Sequence, residues 1–256
     1  MSEIRKAGVE SDEWESLKAY TKARIALGRT GVSVPLRESL QFKLAHAHAK
    51  DAVYSALDVT DLQNQLALCG LPVYCVRSRA IHRDMYLQRP DLGRLLDERS
   101  AEQLQQLDSP AADISIIVAD GLSASAIRQN AAQVVSGLVD KAKQAGFSLA
   151  PIVLVEQGRV AIMDAIGSLL NARLAIILIG ERPGLSSFDS MGAYITYAPR
   201  PGLTDESRNC ISNIREQGLA PVLAVDKIMD LIWSAFRLQL TGVQLKADSN
   251  AGILPA

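Results

Sequence analysis

The chain has 256 residues, a net charge of −1, 48% hydrophobic residues and 21% charged ones. That is enough for one sizeable α/β domain with a smaller attached segment, and it lacks the excess of Lys and Arg that nucleic-acid binding needs. The three cysteines, Cys69, Cys75 and Cys210, include no C-x-x-C pair. Their odd number argues against a disulfide framework or a zinc cluster and for a reducing compartment. No apolar run reaches membrane-spanning length, and MSEIRKAGVESDEW lacks the apolar stretch of a signal peptide.

In chain order, Ser11 or Asp12 is expected to cap a helix through Trp14, Leu17, Tyr20, Ile25 and Leu27 that Gly28 stops. The turn-rich GRTGVSVP follows. Pro35 then starts a second helix, with Leu36, Leu40, Leu44 and Ala47 on one face. DVTDLQNQL reads as a turning segment that ends at Gly70 and Pro72. VYCV is a short strand, and an Arg-rich polar stretch follows, with Arg77, Arg79, Arg83, Arg89, Arg94 and Arg99. Those arginines suit a solvated or subunit-contacting surface better than a phosphate site.

From residue 113 the pattern changes. DISIIVAD, PIVLVEQ and LAIILIG are short Ile/Val-rich runs separated by helical stretches. This is the pattern of parallel strands buried on both faces. GAYITYAP adds a fourth strand, and residues 221–240 form a covering helix. The expected organisation is an N-terminal helical lobe and linker over 1–105, a Rossmann-like α/β domain over 106–246 with a parallel sheet flanked by helices, and a flexible tail over 247–256.

Ligands of such sheets bind at the carboxyl ends of the strands. Three turn-forming segments fall there: Asp120–Ser123, Glu156–Val160 and Gly180–Leu185. Their glycines allow close backbone approach, and Glu181 offers a carboxylate. Blander readings stand beside these. Asp120 suits a turn or cap, Gly158 and Gly184 suit plain loops, and Cys210 suits a small core residue early in a helix. No dinucleotide or triphosphate loop, nucleophile elbow or metal-ligand set occurs. His46 and His48 are two apart and cannot chelate one metal from a helix, and His82 has no evident partner. A ligand-binding fold with no visible acid, base, nucleophile or metal set places the chemistry in the ligand or in a partner chain.

The segments RIALGRTGVSVPLRESLQFKLAHAHAKDAV, RPDLGRLLDERS, DISIIVADGLSASAI, IGERPGLSS and YAPRPGLTDESRNCISNI together resemble the light chain of ethanolamine ammonia-lyase. The resemblance implies a domain that binds adenosylcobalamin against a (β/α)8 heavy chain, in an assembly with several copies of each chain. The implied reaction converts ethanolamine to acetaldehyde and ammonia. It further implies cofactor contacts at Val160, after the EQGR turn; at Glu181, in GERPG; and at Cys210, in CISNI. The segment between Glu181 and Cys210 is one residue shorter than the family pattern, within the PRPGLTDES loop. No D-x-H-x-x-G motif is present, so the cofactor is expected to keep its own lower base on cobalt. Some relatives carry a longer N-terminal extension for entry into a bacterial microcompartment; here the expectation is plain cytoplasm, with that packaging left open. Two other readings remain: a non-enzymatic interaction subunit, and a self-sufficient nucleotide-dependent enzyme.

Overall fold

The computed structural model describes residues 8–107 and 110–245; the expected tail at 247–256 lies outside them. The first expected helix does not form. Residues 15–19 make a short 3-10 turn, and largely irregular chain follows. Trp14, Leu17 and Tyr20 are exposed. Their helical spacing meets no surface to pack on, and a short helix without a packed face is marginal in water.

Helix α1 (Leu36–Tyr54) forms where expected. Its apolar stripe, however, points to solvent: Leu36, Leu40 and Leu44 are 74%, 54% and 58% exposed, and only Ala52 of the helix is buried. Helix α2 (Val59–Ala67) replaces the expected turning segment. Asp58 caps it by accepting from the Asp61 N–H, and Leu62 and Leu66, four residues apart, enter the core.

Strand β1 (Val73–Arg77) is followed by two short helices in the Arg-rich stretch, α3 (Arg83–Gln88) and α4 (Glu98–Gln105). Then come β2 (Ala112–Ala119), α5 (Ala124–Gln144), β3 (Ile152–Glu156), α6 (Ile162–Leu169), β4 (Ala172–Gly180), β5 (Met191–Tyr197), β6 (Asn209–Ile214) and α7 (Pro221–Leu238). The six strands form one sheet in the order β1-β3-β2-β4-β5-β6. The first four are parallel, and β5 and β6 run antiparallel. One strand, β1, lies upstream of the 105/106 boundary.

The apolar runs are continuous because both faces of the sheet are covered. Ile116, Val118, Leu154 and Leu178 pack toward α5, α7 and α2. Ile117, Ala119, Val155, Ile177 and Ile179 pack toward α6 and α4. The strand order reverses between β2 and β4, whose carboxyl ends close on each other. A Cβ on Gly180 would lie 2.2 Å from the Ser123 carbonyl oxygen, and one on Gly121 (φ +59) would lie 2.3 Å from the Gly180 oxygen. Gly180→Ala should therefore lower the unfolding free energy by about 3 kcal/mol. On the uncovered α1 stripe, Leu40→Ala should change it by less than about 0.5 kcal/mol. Urea denaturation of the isolated chain checks both.

Candidate functional site

The three turn segments expected at the carboxyl edge lie there, after β2, β3 and β4. Asp120 ties them together. Its side chain is buried, and Oδ1 accepts from the N–H groups of Gly121 (2.9 Å) and Gly158 (3.2 Å). Arg83 lies 3.7 Å from Oδ2. The turn reading of Asp120 thus holds, and the side chain is internal bracing.

Arg83 is no surface residue either. Its guanidinium donates to the carbonyls of Val53 and Gly121 and to Gln157 Oε1. Together with Arg159 it packs on the buried Tyr86 ring, at 4.7 and 4.1 Å from the centroid. Tyr86 in turn donates to the Gly158 carbonyl. The Arg-rich stretch therefore wraps the end of β3 and builds one wall of a cleft.

That cleft consists of two adjoining cavities. One, of about 450 Å³, is lined by Val160, Tyr194, Cys210, Arg94, Arg159 and Arg208, among others. The other, of about 420 Å³, is lined by Tyr86, Leu122, Arg159, Val160, Glu181 and Tyr194, among others. Arg159, Val160 and Tyr194 line both cavities. Val160, Glu181 and Cys210 are thus brought to one continuous surface. Gly184 is not on its walls; a hydrogen-bonded turn joins it to Ser187.

Glu181 follows β4. Its Oε2 accepts from the Ser190 hydroxyl and from the Asn213 N–H at 3.2 Å, which braces β4 against the loop before β5 and against β6. Oε1 takes no hydrogen bond from any described residue. Gly192 leaves room for this carboxylate, since a Cβ there would lie 3.0 Å from Oε1.

Cys210 corrects one expectation. It sits in an antiparallel edge strand, paired with Tyr194 of β5, and it is exposed at the cavity mouth. It is neither helical nor a core residue. Partial desolvation raises its thiol, helped by the Glu181 charge, while Tyr194 pulls the other way. Burial likewise lifts the Tyr194 phenol. Both groups stay protonated at neutral pH, so Cys210 is a soft neutral contact and not a thiolate nucleophile.

Beneath this pair, Arg208 and Asp164 form a buried ion pair with side chains 2% and 3% exposed. Burial raises the Asp164 carboxyl, and Arg208 offsets part of that shift. Sequence reading passed over Tyr194, Arg159, Arg208 and Asp164. Arg159, Tyr194 and Arg208 lie inside motifs that the sequence displays, yet no spacing marks them. The described residues contain no cluster of His, Cys, Asp and Glu able to hold a metal ion. No imidazole lines either cavity: His46 stacks on Phe42, His48 meets Phe188, and His82 caps α3.

These features define an α/β protein with a polar, arginine-walled cleft at the carboxyl edge of its sheet. The family model for the ethanolamine ammonia-lyase light chain (EutC) matches residues 11–246. Ethanolamine ammonia-lyase small subunits from Ralstonia nicotianae, Xanthomonas campestris pv. campestris and Pseudomonas putida are 51%, 50% and 48% identical to this chain. The matches cover 98%, 95% and 96% of this chain and 94%, 90% and 92% of theirs. The chain belongs to the ethanolamine ammonia-lyase light chain family.

Burial pushes the Asp120 carboxyl up to about 6, against the pull of Arg83 and the backbone N–H groups. The unfolded value is about 3.9, so the folded chain holds this proton more tightly. The resulting stability is full below about pH 4 and is lost as the pH rises through about 6, at up to about 1.4 kcal/mol per pH unit. Asp120→Asn should remove that slope. Relative to wild type, the variant should gain stability steadily from pH 4 to 6.5 in urea titrations; a constant difference would rule out ionisation of Asp120 in this window.

Proposed function

We propose that this chain is the light-chain subunit of an adenosylcobalamin-dependent ethanolamine ammonia-lyase, holding the cofactor against a heavy chain while ethanolamine becomes acetaldehyde and ammonia. One observation carries the reading. Val160, Glu181 and Cys210, which the family resemblance marks as cofactor contacts, meet on one surface of two adjoining cavities.

The residues fit a corrinoid. Its rim bears primary amides, and the Glu181 Oε1 has no hydrogen-bond partner among the described residues. Val160 and the Tyr194 ring offer apolar contact, and the protonated Cys210 packs without competing as a nucleophile or ligand. The base-on mode is part of this proposal on the ground that the sequence holds no D-x-H-x-x-G motif. When bound, the cofactor supplies the radical chemistry through homolysis of its cobalt–carbon bond. The chain's own contribution is to bind, orient and exclude water.

A second polypeptide completes the site. The cleft walls carry no base or nucleophile poised for reaction, and the apolar stripe of α1 is uncovered. His48 of α1 lies against Phe188, two residues before the Ser190 that braces Glu181. A heavy chain seated on α1 would therefore reach the cleft, in a hetero-oligomer with several copies of each chain. Three free cysteines support a cytoplasmic setting. Residues 1–105 serve in this reading as lobe and linker and 106–246 as the cofactor domain.

The test is reconstitution. The chain and its heavy chain are purified separately, mixed with adenosylcobalamin, and followed by visible spectrum and ethanolamine turnover. Turnover is expected only in the mixture. Turnover by the single chain would favour the self-sufficient enzyme, and no cofactor retention in any sample would favour the interaction subunit. In the mixture, Glu181→Gln keeps an oxygen for Ser190 and Asn213 but loses the charge. It should raise the half-saturating cofactor concentration about tenfold without moving the unfolding midpoint. Unchanged half-saturation would remove Glu181 from the cofactor contacts.

A further inference from the structure

The cavity that bears Cys210 has an imbalance of charge that its residues do not resolve among themselves. Arg94, Arg159 and Arg208 line it, and Asp205 is the one carboxylate on its walls. Arg208 is locked in place: Nη2 donates to Asp164 Oδ2 and to the Leu203 carbonyl, and Nη1 donates to Asp205 at 2.8 Å. These two carboxylates account for Arg208. Nothing accounts for the other two arginines.

Arg159 is held by the Tyr86 ring and by a 3.0 Å hydrogen bond from Nη2 to the Tyr86 carbonyl. Its Nε is buried without a partner, and its Nη1 makes no hydrogen bond with a described residue. Arg94 is exposed, and its guanidinium has no described partner. A rigid arginine beside a free one presents the donor forks that match two oxygens of a phosphate or carboxylate. Arg208 lies on the same walls with its charge met by Asp164 and Asp205, and its Nε is unpartnered.

Cobalamin carries one anion at its periphery. Its amide side chains are neutral, and the phosphodiester of the nucleotide loop bears the charge. We propose that the Cys210 cavity is the subsite for that phosphodiester, with Arg94 and Arg159 donating to its two non-bridging oxygens over Arg208. This rests on the cofactor reading above. It assigns the two cavities different parts of one ligand: the amide-bearing rim to Glu181 and the nucleotide loop to the arginines. A cavity of about 450 Å³ suits a loop of the cofactor and not a whole corrinoid.

The experiment uses the complex with the heavy chain and reads dissociation constants by spectral titration, with no substrate present. Three ligands are compared: adenosylcobalamin; adenosylcobinamide, which lacks the phosphodiester and the base; and adenosylcobinamide methyl phosphate, which restores a phosphodiester without the base. Arg94→Gln should weaken the first and third about tenfold and leave the second within about twofold. Arg94→Lys should recover part of the loss, and added salt should weaken wild type more than Arg94→Gln. Equal loss for all three ligands, or no loss for any, overturns the proposal. Loss for adenosylcobalamin alone assigns Arg94 to the base and overturns it as well. If the wild-type complex binds none of the three, the cofactor reading fails and this subsite falls with it.

Discussion

One buried carboxylate holds the working edge of this protein together. Asp120 directly follows β2, accepts from its own turn and from the turn after β3, and faces Arg83 of α3. Arg83 extends the tie to the end of α1 through the Val53 carbonyl. Three chain segments thus meet at a buried carboxylate, and a fourth is tied in through Arg83. A buried charge of this kind is tolerated only when its lone pairs are occupied, so the loops cannot drift apart without stranding it. The cleft inherits its shape from that constraint.

The arrangement also explains why the cleft lies to one side of the strand-order switch. Gly121 and Gly180 bring the ends of β2 and β4 into backbone contact, which closes the crevice between them. The open surface moves toward β3, β4 and β5, where Arg159 on its Tyr86 shelf and Tyr194 form the shared wall. The antiparallel β5 and β6 then carry Tyr194 and Cys210 to the cleft from the far side. Glu181 completes the frame, because one of its oxygens braces β6 while the other takes no hydrogen bond from a described residue.

The cleft walls combine arginine donors, the carboxylates of Glu181 and Asp205, and the neutral groups of Val160, Tyr194 and Cys210. The apolar stripe of α1 is the counterpart at the surface. It has the spacing of a core helix and no core beneath it.

The parallel strands and their helices were legible in the sequence, because an Ile/Val run bounded by turn residues has few other ways to bury both faces. The three carboxyl-edge segments followed from that, since the end of each run marks the edge. Val160, Glu181 and Cys210 were marked by the family resemblance and not by the strand pattern, and the structure brings them to one surface. Periodicity also found α1 and its stripe, but periodicity records which residues share a face and not what covers it. That is why the segment from Ser11 to Leu27 read as a helix and proved mostly irregular, and why the shared face of α1 could be found without showing that it is exposed. Only the tertiary structure could show that Cys210 lies on an edge strand opposite Tyr194, that Arg83 and Asp120 are internal, and that Arg94, Arg159 and Arg208 converge on one cavity. Local sequence determines spacing along the chain, whereas charges brought together by the folding of distant segments leave no pattern in it.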